Sequence, residues 1–157
     1  MRLILIKQAK VVLPGIRDLC QMYETRLQRF YDVQCVEQKS GPGKASKATP
    51  KTTSKTTSKS VAASPGILTV ALDEKGPGWT SRDLATKLQS WADDPRIKSV
   101  RFVVGDAHGL SQDICDTADF TWGLSPLTLQ GDLAWLILWE QVYRAVTLNK
   151  GIPYHHD

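Results

Sequence analysis

Residues 67–105 read ILTVALDEKGPGWTSRDLATKLQSWADDPRIKSVRFVVG, and this stretch decides the fold class. Ile67–Leu72 is a short apolar run with β-branched members, the pattern of a buried strand. Gly76-Pro77-Gly78 turns the chain. Thr80, with Asp83 three residues on, resembles a capping box, and Leu84, Leu88 and Trp91 then share one helix face. Val100–Val104 is a second apolar run, closed by Gly105. Strand, helix and strand in that order predict two parallel strands joined by a crossover helix.

The same alternation extends outward. Leu3–Ile6 reads as a strand, and after Pro14-Gly15 the residues Ile16, Leu19, Cys20, Tyr23 and Leu27 recur at helical spacing. Val33–Val36 reads as a further strand. Phe120–Leu129 holds short extended pieces broken by Gly123 and Pro126, and Asp132 is a good N-cap for a helix from Leu133 to about Thr147. Leu148–Asp157 is a tail without periodicity. An α/β fold with a largely parallel sheet follows, in one domain spanning 1–157. Ligands of such sheets bind beyond the carboxyl ends of the strands.

Between about Lys39 and Pro65 the pattern stops. This stretch is built from Lys, Ser, Thr, Ala, Gly and Pro, repeats TTSK, and offers no apolar face, so disorder is expected. It also carries the charge. The chain's net +4 comes from 20 basic and 16 acidic residues, and six lysines (Lys39, Lys44, Lys47, Lys51, Lys55, Lys59) lie here without an acid. Without them, 14 basic residues face 16 acidic ones, a net of −2, so the total does not define a basic domain face.

Three cysteines, Cys20, Cys35 and Cys115, with no CxxC spacing argue against a disulfide framework or a zinc site and fit a reducing compartment. The N-terminal apolar run is too short for a signal peptide, and the longest, Leu133–Trp139, is far below the ~20 residues that span a bilayer. A soluble cytoplasmic protein with no membrane partner is expected. The last helix is apolar over most of its circumference, with Trp135 and Trp139 one turn apart, which suits either an internal core or a homodimer contact.

Four segments could carry chemistry, and each has a plain structural reading beside it. Gly105-Asp106-Ala107-His108-Gly109 lets backbone approach a ligand, or is simply a turn. Leu124-Ser125-Pro126-Leu127-Thr128-Leu129 is a loop at the ligand edge, or a kinked strand. Glu140 and Arg144, four apart, form a functional pair or a helix-surface ion pair. The end Pro153-Tyr154-His155-His156-Asp157 is a functional tail or a frayed one. Adjacent ring side chains chelate one ion poorly, so no metal is expected.

Taken in order, these segments resemble the SPOUT-class RNA methyltransferases, specifically the ribosomal RNA large subunit methyltransferase H family. The resemblance is carried by Leu68–Asp73 with Gly76 and Trp79, by FVVGDAHGLS at 102–111, LSPLTL at 124–129, EQVYRA at 140–145 and PYH at 153–155. It covers Met1 to about Gln38 and Ile67 to the last residue. The resemblance implies an α/β fold with a C-terminal trefoil knot and an obligate homodimer. It implies S-adenosyl-L-methionine as methyl donor, and N3 of a pseudouridine in large-subunit (23S) ribosomal RNA, within the assembled ribosome, as target.

Carried over residue by residue, the resemblance puts the cofactor against Leu72, Gly105, Asp106, Gly109, Ser125, Pro126, Leu127, Thr128, Leu129 and Gln130. The chemistry of such a methyl transfer makes His155, if the tail folds over the site, a candidate base for the imide N–H, Arg144 a candidate to stabilise the anion, and Tyr154 a candidate to stack on a base. The chain departs from the family in four places. Asp106 stands where a second glycine is usual, Gly131 or Asp132 where a histidine commonly precedes the last helix, Trp135 where arginine is common, and His156 where arginine or lysine is common. The segment 40–65 replaces a helix of mixed charge. Two readings follow: an active methyltransferase, or a knotted dimer that binds ribosomal RNA without turnover. An unrelated α/β protein with a solvated basic linker is a third.

Overall fold

The structure, a computed structural model, describes residues 1–38 and 65–155. The lysine-rich stretch up to Ser64, and with it the expected disorder and the replaced helix, lies outside the described residues, as do His156 and Asp157.

Five strands, β1 (Arg2–Lys7), β2 (Asp32–Glu37), β3 (Ile67–Leu72), β4 (Ser99–Val104) and β5 (Phe120–Trp122), form one sheet in the order β2-β1-β4-β3-β5. Every pair is parallel. The α/β fold with a parallel sheet is therefore as the sequence predicts. Leu5 and Val70 both pair with Phe102, so the central strands stand in one register and their carboxyl ends share one edge.

Strand alternation sends Leu3, Leu5, Val70, Val100 and Phe102 to one face. There they join Ile16, Cys20 and Leu27 of α1 (Ile16–Leu27), Leu84, Leu88 and Trp91 of α2 (Ser81–Asp93) and the inner side of α4 (Gly131–Asn149) in one core. Ile6, Val103 and Ala71, aligned across three strands, are buried on the other face. The Thr80–Asp83 capping box forms as read: Asp83 N donates to Thr80 Oγ1 at 3.1 Å and Thr80 N to Asp83 Oδ2 at 2.8 Å.

Four expectations are corrected. Only Phe120–Trp122 of the segment 120–129 is strand; the rest is loop. A short helix, α3 (Gln112–Thr117), is present where no element was expected, because six residues without a buried member leave no apolar periodicity. The cap of α4 is Gln130, whose Oε1 accepts from Asp132 N at 2.7 Å and Leu133 N at 3.2 Å, while Asp132 turns inward to Lys7. The tail is not structureless. The helix runs to Asn149, Gly151 takes φ +63°, Ile152 N donates to Thr147 O at 2.9 Å, and Tyr154 and His155 fold back on α4.

Helix α4 packs between α1 and α2, and this explains much of its apolar circumference within one chain. Trp135 and Trp139 are fully buried and meet edge to face at 5.7 Å. Trp135 is thus a core residue, and its place in the chain is not on an RNA-facing surface. Among the described residues no helix is long and apolar enough to cross a membrane.

Candidate functional site

Parallel strands deliver their following loops to one edge, and here those loops enclose a cavity of about 450 Å³. Its walls are Leu72–Lys75 after β3, Val104–Leu110 after β4, part of Leu124–Leu129 after β5, and Gly131 and Ala134 of α4.

Two close backbone approaches shape it. A Cβ on Gly105 would lie 2.3 Å from Gly109 C and 2.5 Å from Gly109 O, so this loop closes on itself only with glycine at 105. A Cβ on Gly123 would lie 2.5 Å from Gly76 O, which presses the loop after β5 against the loop after β3. Asp106 sits in the first loop as a turn former. Its Oδ1 accepts from His108 N at 2.8 Å and its carbonyl from Gly109 N at 3.1 Å, with Gly109 at φ +82°. Thr128 Oγ1 donates to Glu74 Oε2 at 3.3 Å, a second link between the loops.

Asp73, Glu74 and Asp106 line the cavity against one lysine, Lys75, so the wall favours a cationic ligand. Cys115 lies at the wall with Sγ 3.8 Å from Asp73 Oδ2. Burial, then the Asp73 carboxylate, pushes its thiol up, so it is not poised as a nucleophile.

Of the residues assigned from the sequence, Leu72, Gly105, Asp106, Gly109, Ser125, Leu127, Thr128 and Leu129 line this cavity. Pro126 and Gln130 do not; the Gln130 side chain is engaged in capping α4. The position of the loop after β3 at the strands' carboxyl ends pointed to a wall there, but Asp73–Lys75 were not singled out individually.

Arg144, Tyr154 and His155 come together elsewhere. Arg144 Nε and Nη2 donate to Glu140 Oε1 at 3.0 and 2.6 Å, and Arg144 Nη1 lies 3.2 Å from His155 Nδ1. Tyr154 donates to Glu140 Oε1 at 3.1 Å, and its oxygen is 3.3 Å from that of Tyr23. Burial, then the contacts with Tyr23 and Glu140, pushes the Tyr154 hydroxyl up, so it keeps its proton. The Arg144 guanidinium lies 4.9 Å from the centre of the Tyr154 ring, and Tyr143 meets that ring edge to face at 4.9 Å. Hydrogen bonding to Glu140 holds Arg144 firmly cationic. The i,i+4 ion pair read from the sequence is present, as one part of this cluster.

The cluster does not line the cavity. Both features use α4, but Arg144 is ten residues beyond Ala134, which is about 15 Å along the helix axis. Among the described residues no group of His, Cys, Asp and Glu side chains could hold a metal ion.

Fold and cavity together define an α/β protein with a cavity at the carboxyl edge of a parallel sheet, where such folds bind ligands. The family model described as "Predicted SPOUT methyltransferase" matches residues 1–155, and the chain belongs to that family. Two relatives, both named ribosomal RNA large subunit methyltransferase H, are similar over nearly all of their length. One, from Maridesulfovibrio salexigens, is 35% identical over 143 residues, 91% of this chain and 90% of the relative. The other, from Solidesulfovibrio magneticus, is 34% identical over 156 residues, 99% and 98% of the two chains. Among solved structures, a probable methylase family protein from Haemophilus influenzae covers 99% of this chain and 71% of its own, at TM-score 0.53 and 14% identity. A probable methyltransferase from Bordetella pertussis covers 92% and 95%, at TM-score 0.52 and 13% identity. At these identities the two structures speak for the fold alone.

Proposed function

We propose that this protein is an S-adenosyl-L-methionine-dependent methyltransferase of large-subunit ribosomal RNA, acting on N3 of a pseudouridine, as a cytoplasmic homodimer with a knotted C-terminal half. The observation that carries the reading is the cavity walled by the two glycine-shaped loops and the first turn of α4.

The donor set fits the cofactor. Backbone and small side chains of 105–109 and 124–129 suit adenine and ribose, and Leu72, Val104 and Leu129 give apolar walls. S-adenosyl-L-methionine, when bound, supplies a methyl group on a cationic sulfur. Asp73, Glu74 and Asp106 favour that positive charge. Asp106 is not simply a carboxylate aimed at a ligand, because one of its oxygens holds the His108 amide.

The imide proton at N3 must leave before the nitrogen can attack. His155 takes it, and Arg144 holds the anion that results. Arg144 can only donate, so Nδ1 of His155 accepts from it and the lone pair faces Arg144. When Arg144 turns to a carbonyl oxygen of the target base, Nδ1 is released to receive the proton. Tyr154 presents its ring beside this pair for base stacking.

A base must reach its proton to about 3 Å, whereas the cluster and cavity of one chain are about 15 Å apart along α4. The dimer therefore pairs the cluster of one subunit with the cavity of the other. Exposed Val12, Leu13 and Leu133 give apolar surface for such an assembly.

The test is to incubate the protein with methyl-labelled S-adenosyl-L-methionine and intact ribosomes, then analyse the nucleosides by mass spectrometry. Label in 3-methylpseudouridine is expected; unlabelled RNA, or label in another nucleoside, would overturn the reading.

A further inference from the structure

Lys7, at the end of β1, and Asp132, in the first turn of α4, lie far apart in the sequence yet form a buried ion pair. Their side chains are 3% and 2% exposed, and Lys7 Nζ lies 3.1 Å from Asp132 Oδ1. The other oxygen, Asp132 Oδ2, accepts from the amides of Val12 and Leu13, each at 2.8 Å. One carboxylate thus joins the end of β1, the loop after it and the start of α4.

Burying two charges is costly, and apolar residues of like volume would serve stability as well or better. The pair needs another reason for its place. Asp132 directly follows Gly131, a wall residue of the cavity, and a Cβ on Gly131 would lie 4.0 Å from Lys7 Nζ. The ammonium therefore lies close behind the cavity wall, at a wall residue without a side chain. The loop held from the other oxygen carries Val12, 75% exposed, and Leu13.

We propose that Lys7 and Asp132 are a positioning pair for methyl transfer: they fix the α4 wall of the cofactor cavity and couple its occupancy to the order of the Val11–Leu13 loop. This rests on the reading of the cavity as the S-adenosyl-L-methionine site. Neither residue touches the cofactor. A ligand that tightens the Gly131 wall tightens the Asp132 carboxylate behind it, and with it the two amides it holds.

The first measurement uses the unaltered protein. Amide exchange at Val12 and Leu13 is followed with and without saturating S-adenosyl-L-methionine; slowing by about fivefold or more is expected. The second uses Lys7→Met/Asp132→Leu, which removes both charges together, and Lys7→Arg, which keeps the cation. In the double variant the S-adenosyl-L-methionine Kd should rise about tenfold, with a modest fall in melting temperature because the Val12 and Leu13 amides lose their acceptor; Lys7→Arg should keep the Kd near that of the parent. A purely structural pair would leave the Kd unchanged once stability is recovered. If the double variant does not fold, the exchange measurement decides. Cofactor binding without change at Val12 and Leu13 would overturn the proposal and leave the cavity reading standing. Absence of any cofactor binding by the unaltered protein would overturn the cavity reading, and the pair's role with it.

Discussion

Arg144 lies with Nη1 3.2 Å from His155 Nδ1, while its Nε and Nη2 are both held on Glu140 Oε1. The guanidinium is thereby aimed, and the histidine lone pair is covered until Arg144 moves. Replacing His155 by Ala should lower single-turnover methylation about 10²-fold or more, the usual worth of a general base. Arg144→Ala should cost about 10²–10³-fold, as for a lost anion donor. Both should leave cofactor affinity within about twofold, since neither residue lines the cavity. Single-turnover assays with titration calorimetry check this, and unchanged methylation in both variants would remove the assigned roles.

Subunit mixing tests the shared site. Leu127→Arg places a cation in the cavity wall, and Arg144→Ala disables the cluster. Each homodimer should be inactive. Co-refolded mixtures should recover about a quarter of parental activity, since half of the dimers are then mixed and each carries one intact pairing of cavity and cluster. No recovery would place both features of a working site in the same chain.

Asp132 gives a prediction for stability. Burial acts to raise its carboxyl pKa, but the Leu13 and Val12 amides and Lys7 outweigh it and hold the group below its ordinary value. Asp132→Asn leaves a buried ammonium without its counter-charge and should cost about 3–5 kcal/mol. The folded pKa lies below the unfolded value of about 3.9, so the carboxylate's contribution is complete above that value and is lost as pH falls through the folded one. The stability gap between parent and variant should be flat from about pH 5 to pH 8 and shrink below about pH 4. Urea unfolding across that range measures it; a gap unchanged into acid would contradict the assignment.

How legible these features were depends on their range in the sequence. Strands β1, β3 and β4 are visible as apolar runs and helices α1 and α2 as periodicity, because each buries one face; α4 shows as a long apolar stretch, β2 only as Val33–Val36, and the Thr80–Asp83 box is local chemistry. The glycine loops stand out for the same reason. The Lys7–Asp132 pair was invisible: a lysine at a strand end ordinarily reaches solvent, and only the packing of α4 on β1 closes it in. Gln130 and Asp132 are both able to cap a helix, and that buried ammonium decides between them. Trp135 read both as part of an apolar helix suited to a core or a dimer contact and as a position where the family commonly has arginine; it belongs to the core. Tyr154 and His155 lie in a segment with no pattern of its own, and Glu140, Arg144 and Tyr23 hold it in place.

The glycines predict a graded series. At Gly105 a methyl group would collide with backbone at 2.3 Å, and backbone cannot yield as a side-chain tip can. Gly105→Ala should destabilise by about 1–3 kcal/mol and abolish measurable cofactor binding. Gly109 has open space but φ +82°, so Gly109→Ala should cost about 1–2 kcal/mol of backbone strain. Gly78 has neither constraint, and Gly78→Ala should stay within about 0.5 kcal/mol of the parent. Thermal unfolding and calorimetry on the three variants check the order, and equal effects at 78 and 105 would sink the close-approach argument.

The charge distribution predicts how the protein holds its substrate. Without the six lysines of 39–59 the chain carries a net −2, and Trp135 is buried where the family commonly has an arginine. The lysine-rich segment, which lies outside the described residues, is then the expected source of attraction to phosphate. Such attraction is independent of sequence and falls steeply with salt, by a slope of about 0.7–0.9 per phosphate neutralised. Deleting residues 40–64 removes five of the six lysines. Ribosome binding should weaken at low salt, and the slope of log Kd against log salt should fall by up to about 4. Cofactor affinity should be unchanged, because the described cavity wall is built from the loops after β3, β4 and β5 and the start of α4. An unchanged salt slope in the deletion would move the phosphate contacts to the folded body, with Arg17, Arg26 and Arg29 of α1 and the turn after it as the next groups to replace.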